Sequence, residues 1–242
     1  DLFKTHGGML TAKKEGLNPI IGCELYLTPN LQEKERRLTR LILLCKNYQG
    51  YQNLVELVSI SHLKGFYYKP RIDLAHLKKY ASNLIAISPG LHGPVARLIR
   101  NGEFDQAASS AQELAEIYGP DFYLGIQSLG LHYEDIIKEE TLKISKEYKI
   151  PVVATNDVYF LNTENYFLRD ILVSIRTGKK IDEENTFKTP SQEMFFRNHT
   201  EMSALFPDVP EAITNTVKIA SECHLKIDTE QVHLPSFNCP NK

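Results

Sequence analysis

Five short runs of branched and aromatic apolar residues limit most strongly what this chain can become. They lie at 19–27 (PIIGCELYL), 38–45 (LTRLILLC), 83–88 (NLIAIS), 122–127 (FYLGIQ) and 151–155 (PVVAT). Each is short and almost continuously apolar, the pattern of a strand buried on both faces. Between most of them, 51–63, 74–80, 103–118 and 133–148 carry apolar residues three and four apart, which collects those residues on one helical face. Strand followed by helix, several times over, predicts a parallel sheet covered by helices, and either an α/β barrel or an open doubly wound sheet would fit. After about residue 162 the strand signals stop. Helices are predicted at 164–176, 191–196, 200–206 and 209–224, the last with Asp208 as N-cap and Pro210 in its first turn. From 229 onward the chain has prolines and no periodicity, as an exit linker would. The expected organisation is an α/β core over 1–162, a helical continuation over 163–228 and a linker over 229–242.

Charge narrows the partners. The chain has 28 Lys and Arg against 30 Asp and Glu, so its overall field gives no grip on a phosphate backbone and any DNA contact must be local. One local candidate is Lys64, Lys69, Arg71, Lys78 and Lys79, interleaved with Phe66, Tyr67, Tyr68 and Tyr80. Such a mixture can hold a single strand by phosphate contact and base stacking, or the aromatics can pack the core under a solvated basic face. No apolar run approaches the roughly 20 residues that span a bilayer, and no charged-then-apolar leader opens the chain, so a cytoplasmic protein without membrane contact is expected. Cys23, Cys45, Cys223 and Cys239 form no CxxC pair and are expected to be free, buried thiols.

In a parallel α/β barrel, chemistry gathers where the strands end, because that rim brings side chains from several strands to one point. Glu24 lies in the first apolar run and Asp157 just past the fifth. Each also has a plain reading: Asp157 as the cap of a turn, Glu24 as the partner of a nearby lysine. No HxH or HExxH spacing occurs, nor GxGxxG, nor GxxxxGK[ST], nor a nucleophile elbow.

Several stretches resemble a known family in order and spacing: 18–26 (NPIIGCELY), 47–54 (NYQGYQNL), 65–73 (GFYYKPRID), 154–161 (ATNDVYFL) and 206–220 (FPDVPEAITNTVKIA), with His233-Leu234-Pro235 and Phe237 near the end. Together they resemble the PHP (polymerase and histidinol phosphatase) domain of the bacterial DNA polymerase III alpha subunit. The resemblance implies a distorted seven-stranded (β/α) barrel, here with its first strand missing or altered, followed by helical C-terminal segments. In members that keep the ligands it implies up to three metal ions at the strand ends.

Taken residue by residue, the resemblance carries over Glu24 and Asp157 as metal ligands. His6 resembles the histidine of an Asp-His-Gly motif, with Thr5 in the place of the aspartate. Arg40 stands where the family has a histidine, Gly90 where a cysteine is common, and Leu129 and Tyr159 where two further histidines are expected; the opening His-x-His is not found. Each ion of a multinuclear site must exchange most of its water for protein donors, which His6, Glu24 and Asp157 alone cannot supply. An arginine beside the leftover carboxylates could neutralise them in the metal's stead.

The resemblance therefore implies a non-catalytic scaffold that binds no metal of its own and takes part in DNA replication. Its partners would be the remainder of the alpha subunit and, through it, the proofreading exonuclease subunit, other replisome subunits and DNA. The parent would be a DNA-directed DNA polymerase, a nucleotidyltransferase using Mg2+. The alternative is a phosphoesterase or 3′–5′ exonuclease using Zn2+ or Mn2+ at a functional site.

Overall fold

A computed structural model describes residues 2–183 and 188–227, with side chains from Gly8 onward. The elements in order are α1 (Leu2–Lys14), β1 (Gly22–Leu27), β2 (Thr39–Cys45), α2 (Tyr48–Leu63), β3 (Arg71–Ile72), α3 (Leu74–Lys79), β4 (Leu84–Ser88), α4 (Pro94–Arg100), α5 (Phe104–Tyr118), β5 (Phe122–Ile126), α6 (Glu134–Tyr148), β6 (Val152–Ala154), α7 (Tyr166–Thr177), α8 (His199–Leu205) and α9 (Pro210–Glu222). Among the described residues the strands form one six-stranded sheet in the order β3-β1-β2-β4-β5-β6. All five apolar runs contain a strand, and the fold is mixed α/β.

The expectation of an all-parallel sheet needs correction. β2 runs antiparallel to both of its neighbours, β1 and β4, while β1 with β3 and β4 with β5 and β6 are parallel pairs. A parallel neighbour requires a crossover long enough to return the chain to the starting edge, usually a helix. Residues 28–38 contain no helix, so the chain comes straight back beside β1.

Main-chain geometry corrects other expectations too. Residues 191–196 are not helical: Phe195 bridges Phe160 in parallel, and Phe196 N–H donates to the Phe160 carbonyl at 3.0 Å. The run is too short for its apolar residues to distinguish a helix from an extended segment. Asp208 is not the N-cap of α9; Val209 occupies that position without a side-chain cap, although Pro210 does open the helix. The legible cap belongs to α8, where the Asn198 side chain accepts from Glu201 N–H at 3.0 Å and Glu201 accepts from Asn198 N–H at 2.8 Å. Helices α1 and α4 and strand β3 add to the elements that the apolar pattern predicts.

One face of the sheet, with Leu25, Leu27, Leu41, Leu43, Ala86 and Leu124, packs under the helices in the main core. Phe206, Val209 and Ala212 belong to that same core, so the segments after 163 close it rather than stand apart. On the opposite face Ile85, Ile87, Tyr123 and Val153 are buried with Ile219 and Cys223 from the end of α9. Burial on both faces explains why these runs read as continuously apolar. The end of α9 is tied to one edge of the sheet: Lys46 pairs with Asp121 at 2.8 Å and Glu222 at 3.1 Å, and Asn18 donates to the Cys223 carbonyl at 3.1 Å. Cys45 and Cys223 are buried free thiols and Cys23 is partly buried; Cys239 and the expected linker, 229–242, lie outside the described residues.

Candidate metal centre and adjoining basic cleft

Because β2 is reversed, its first residues lie at the same edge as the last residues of β1, β4, β5 and β6. That edge gathers Tyr26, Arg40, the turn containing Gly90 and His92, Leu129 and Asp157. On β1 and β2, alternate residues leave the main core: Glu24 sits opposite Ile42, and Tyr26 opposite Arg40. Arg40 Nη1 donates to Glu24 Oε1 at 3.1 Å, and its guanidinium lies 5.5 Å from the Tyr26 ring centre. The Arg40 backbone N–H donates to the His92 carbonyl at 2.8 Å, fastening the β4–α4 turn beside the pair.

The remaining ligand positions have become packing positions. Leu129 is fully buried in a small cluster with Leu91, Phe160 and Met194. Its N–H and that of Leu131 both donate to Glu134 Oε2, at 2.7 and 3.0 Å, which fixes the turn after β5. Gly90 is backed so closely by the next strand that a Cβ would lie 3.1 Å from the Gly125 carbonyl and 3.2 Å from Gln127 Oε1. Tyr159 is half-exposed and lies under the Arg169 guanidinium, 3.7 Å from its ring centre. Asp157 is partly buried on the loop after β6, where its neighbour Asn156 donates to the Phe195 carbonyl at 2.8 Å. Thr5 and His6 fall within α1, but their side chains lie outside the described residues.

His92, which the sequence did not single out, faces the same neighbourhood. Protein bulk around its imidazole pushes its pKa down, and the charge of Arg40 adds to this; Asp157 and Glu24 pull it up more weakly. Among the described residues no three His, Cys, Asp or Glu side chains converge on a point that could hold an ion. A glutamate already paired with arginine, a separate aspartate and a leucine, a glycine and a tyrosine at the other positions do not make the donor set of a two- or three-metal cluster.

Beside the pair lies a cleft of about 350 Å³, lined by Tyr26, Arg36, Arg40, Lys69, His92, Arg97 and Arg100 among others. The segment expected to contact DNA divides around it. Lys69 reaches the cleft, with Nζ 5.8 Å from the Tyr26 ring centre, while Lys64, Lys78 and Lys79 are exposed on and beyond α2 and α3. Arg71 must be withdrawn from the set. It is buried, donating to the carbonyls of Gly65 at 2.9 Å, Glu33 at 2.6 Å, Glu35 at 3.3 Å and Leu31 at 3.2 Å, and has no face left for a phosphate.

Residues 2–129 match the family model described as the PHP domain. The chain belongs to the PHP domain family. Among similar proteins, the DNA polymerase III subunit alpha of Borreliella burgdorferi is 41% identical over 236 residues, covering 95% of this chain and 21% of that protein. The subunit of Treponema pallidum is 34% identical, covering 98% of this chain and 22% of its own length. That of Helicobacter pylori strain 26695 is 36% identical, covering 92% and 20%. This PHP domain thus spans about a fifth of the length of the curated relatives it matches, all three of them alpha subunits. Among the described residues no helix is long and apolar enough to cross a membrane.

Proposed function

We propose that this PHP domain is a non-catalytic scaffold of a replicative DNA polymerase III alpha subunit, whose sheet forms the wall of a distorted barrel and whose surface docks the remainder of that subunit. The carrying observation is α7. The helix buries its polar residues Asp170 and Ser174, while Phe167, Leu168, Leu172 and Ile175 are 51 to 72% exposed. Asp170 accepts from Thr189 N–H at 2.8 Å and Arg169 donates to the Thr189 hydroxyl at 3.1 Å, so hydrogen bonds fix which face turns inward. Leu161 and Phe196 are also widely exposed. A helix that turns its apolar stripe to solvent is matched to a partner, and the relatives carry about four fifths of their length beyond the matched part. Exonuclease and other replisome contacts, DNA held through the parent, cytoplasmic location and Mg2+-dependent polymerisation belong to this reading of the whole subunit.

The experiment introduces Leu172→Asp and Ile175→Asp into the chain alone and into a full-length alpha subunit. The chain alone should keep its unfolding temperature, whereas the full subunit should lose thermal stability and soluble yield. Equal loss in both, or none in the subunit, refutes docking. The non-catalytic half is tested by supplying Zn2+ or Mn2+ and a mispaired primer. Metal-dependent shortening that disappears in Asp157→Asn would overturn it and restore the exonuclease reading.

A further inference from the structure

We propose that a cavity on the helix side of the sheet is a binding site for a free apolar α-amino acid, whose two charges meet Arg37 and Glu113. In the β1–β2 ladder Leu27 pairs with Thr39, next to the pair of Tyr26 with Arg40. Alternation turns Leu27 and Thr39 toward α3, α4 and α5, so this cavity and the basic cleft lie on different faces at one sheet edge, with Arg97 common to both linings. The cavity measures about 180 Å³, with Leu27, Leu74, Leu98 and Leu114 among its walls. An apolar cavity of about 150 Å³ holds a benzene molecule, whereas drug-sized ligands occupy about 300–1,000 Å³. The space therefore suits one branched or aromatic side chain and is too small for a nucleotide.

The polar groups around it carry both signs. Arg37, on the β1–β2 connection, and Glu113, on α5, are exposed and line the cavity together, yet neither forms an ion pair with the other or with any other described residue. Glu35 accepts from the Arg37 backbone N–H at 2.5 Å, and its charge acts on the Arg37 side chain only from a distance. Arg97 is held by its own bond to the Arg37 carbonyl, at 2.8 Å. Thr39 is only 6% exposed, and neither its hydroxyl nor that of Ser110 has a hydrogen-bond partner among the described residues. A hydroxyl so placed is uncommon, and a ligand that brings donors and acceptors supplies the partner. An ammonium for Glu113, a carboxylate for Arg37 and an apolar side chain for the leucines are joined on one carbon in an apolar α-amino acid. The end of a polypeptide carries only one of those two charges and fits less well. This inference is independent of whether α7 docks the rest of the subunit.

The test is calorimetric titration of the purified 242-residue chain, which buries a core of its own, with L-leucine, glycine, N-acetyl-L-leucine and L-leucinamide. Leucine should bind saturably, and glycine more weakly by roughly a hundredfold, the effect of leaving about four side-chain carbons unburied. N-acetyl-leucine, which lacks the ammonium, and leucinamide, which lacks the carboxylate, should each lose roughly tenfold, the effect of one charge-assisted hydrogen bond. Glu113→Gln should weaken leucine by a similar factor and leave N-acetyl-leucine unchanged. Arg37→Gln should weaken leucine and leave leucinamide unchanged. That crossed pattern assigns each charge to its partner, and a merely structural role for either residue would not produce it. Both positions are exposed, and far-ultraviolet circular dichroism checks that the variants fold, while the blocked ligands probe the same charges in the unaltered chain. No saturation by leucine below about 10 mM would overturn the proposal. So would glycine or either blocked derivative binding as tightly as leucine, the latter being the behaviour of a site for a chain end, or substitutions that affect all four ligands alike.

Discussion

Arg71→Leu should be among the most damaging single changes in this domain. Its side chain is only 2% exposed and reaches four backbone carbonyls, those of Gly65, Leu31, Glu33 and Glu35. It therefore joins the turn before β3 to the long connection between β1 and β2, which has no helix of its own. A hydrogen bond from a charged donor contributes about 1.5–3 kcal/mol, so four would total about 6–12 kcal/mol if they added. They do not add: burying the guanidinium has a desolvation cost, and the 31–35 carbonyls can turn to water once the arginine is gone. About 3–5 kcal/mol of net destabilisation remains, on the order of half the stability of an ordinary domain. At about 2–4 °C per kcal/mol for a chain of this size, the unfolding temperature should fall by roughly 6–20 °C. Urea unfolding followed by circular dichroism is the direct assay, with Lys64→Leu as a control expected to change stability by less than about 0.5 kcal/mol. Arg71→Lys should recover only part of the loss, because a single ammonium cannot address four carbonyls spread around a planar fork. A loss below about 1 kcal/mol for Arg71→Leu would refute the view that this guanidinium holds the loop.

Arg40→Leu should cost less than about 1 kcal/mol, because the side chains of Arg40 and Glu24 are 28% and 42% exposed and solvent screens the pair; urea unfolding checks this. Arg40→His should bind no Zn2+ by calorimetry, since Gly90, Leu129 and Tyr159 still supply none of the missing imidazole or thiolate ligands. His92 has a folded-state pKa below its ordinary 6.5, so between those two values the unfolded chain holds a proton that the folded chain does not, and stability falls as pH falls through that window. His92→Gln should flatten that dependence, by much less than the full 1.4 kcal/mol per pH unit of one proton, because the ring is open to the cleft. An unchanged pH profile would contradict the assignment. Burial pushes the Cys45 thiol up to about 12 and the Cys223 thiol up to about 11, so iodoacetamide at pH 8 should label neither in the native protein, as peptide mass spectrometry would show.

The motifs that carry the family resemblance are legible in sequence, and in the structure several of their residues do architectural work. In NYQGYQNL, Asn47 caps α2 by accepting from Gly50 N–H at 3.1 Å, and a Cβ on Gly50 would lie 2.0 Å from the Asn83 carbonyl. In GFYYKPRID, Asp73 caps α3 and Arg71 secures the preceding loops. In FPDVPEAITNTVKIA, Phe206 is buried and Asn215 donates to the Val152 carbonyl at 2.7 Å. Caps, close approaches and buried anchors impose residue identity at fixed spacing, and that is what makes them readable. The same spelling makes Arg71 read as a candidate DNA contact: a basic residue among tyrosines looks alike in sequence whether its guanidinium faces solvent or four carbonyls.

Local chemistry thus determined the five principal strands, most of the helices and the family, because apolar period and capping geometry act over a few residues. Tertiary structure decided everything that depends on partners far apart in the chain. The reversal of β2 follows from what the 28–38 connection can span, and it brings Arg40 onto Glu24, sixteen positions away. The cleft draws Tyr26, Lys69, His92 and Arg100 from separate segments, and no local pattern in the sequence shows that they meet. The α7 pattern announced an amphipathic helix, but periodicity is blind to which side faces inward. The hydrogen bonds of Asp170 and Arg169 to Thr189, about twenty residues on, turn its apolar side to solvent.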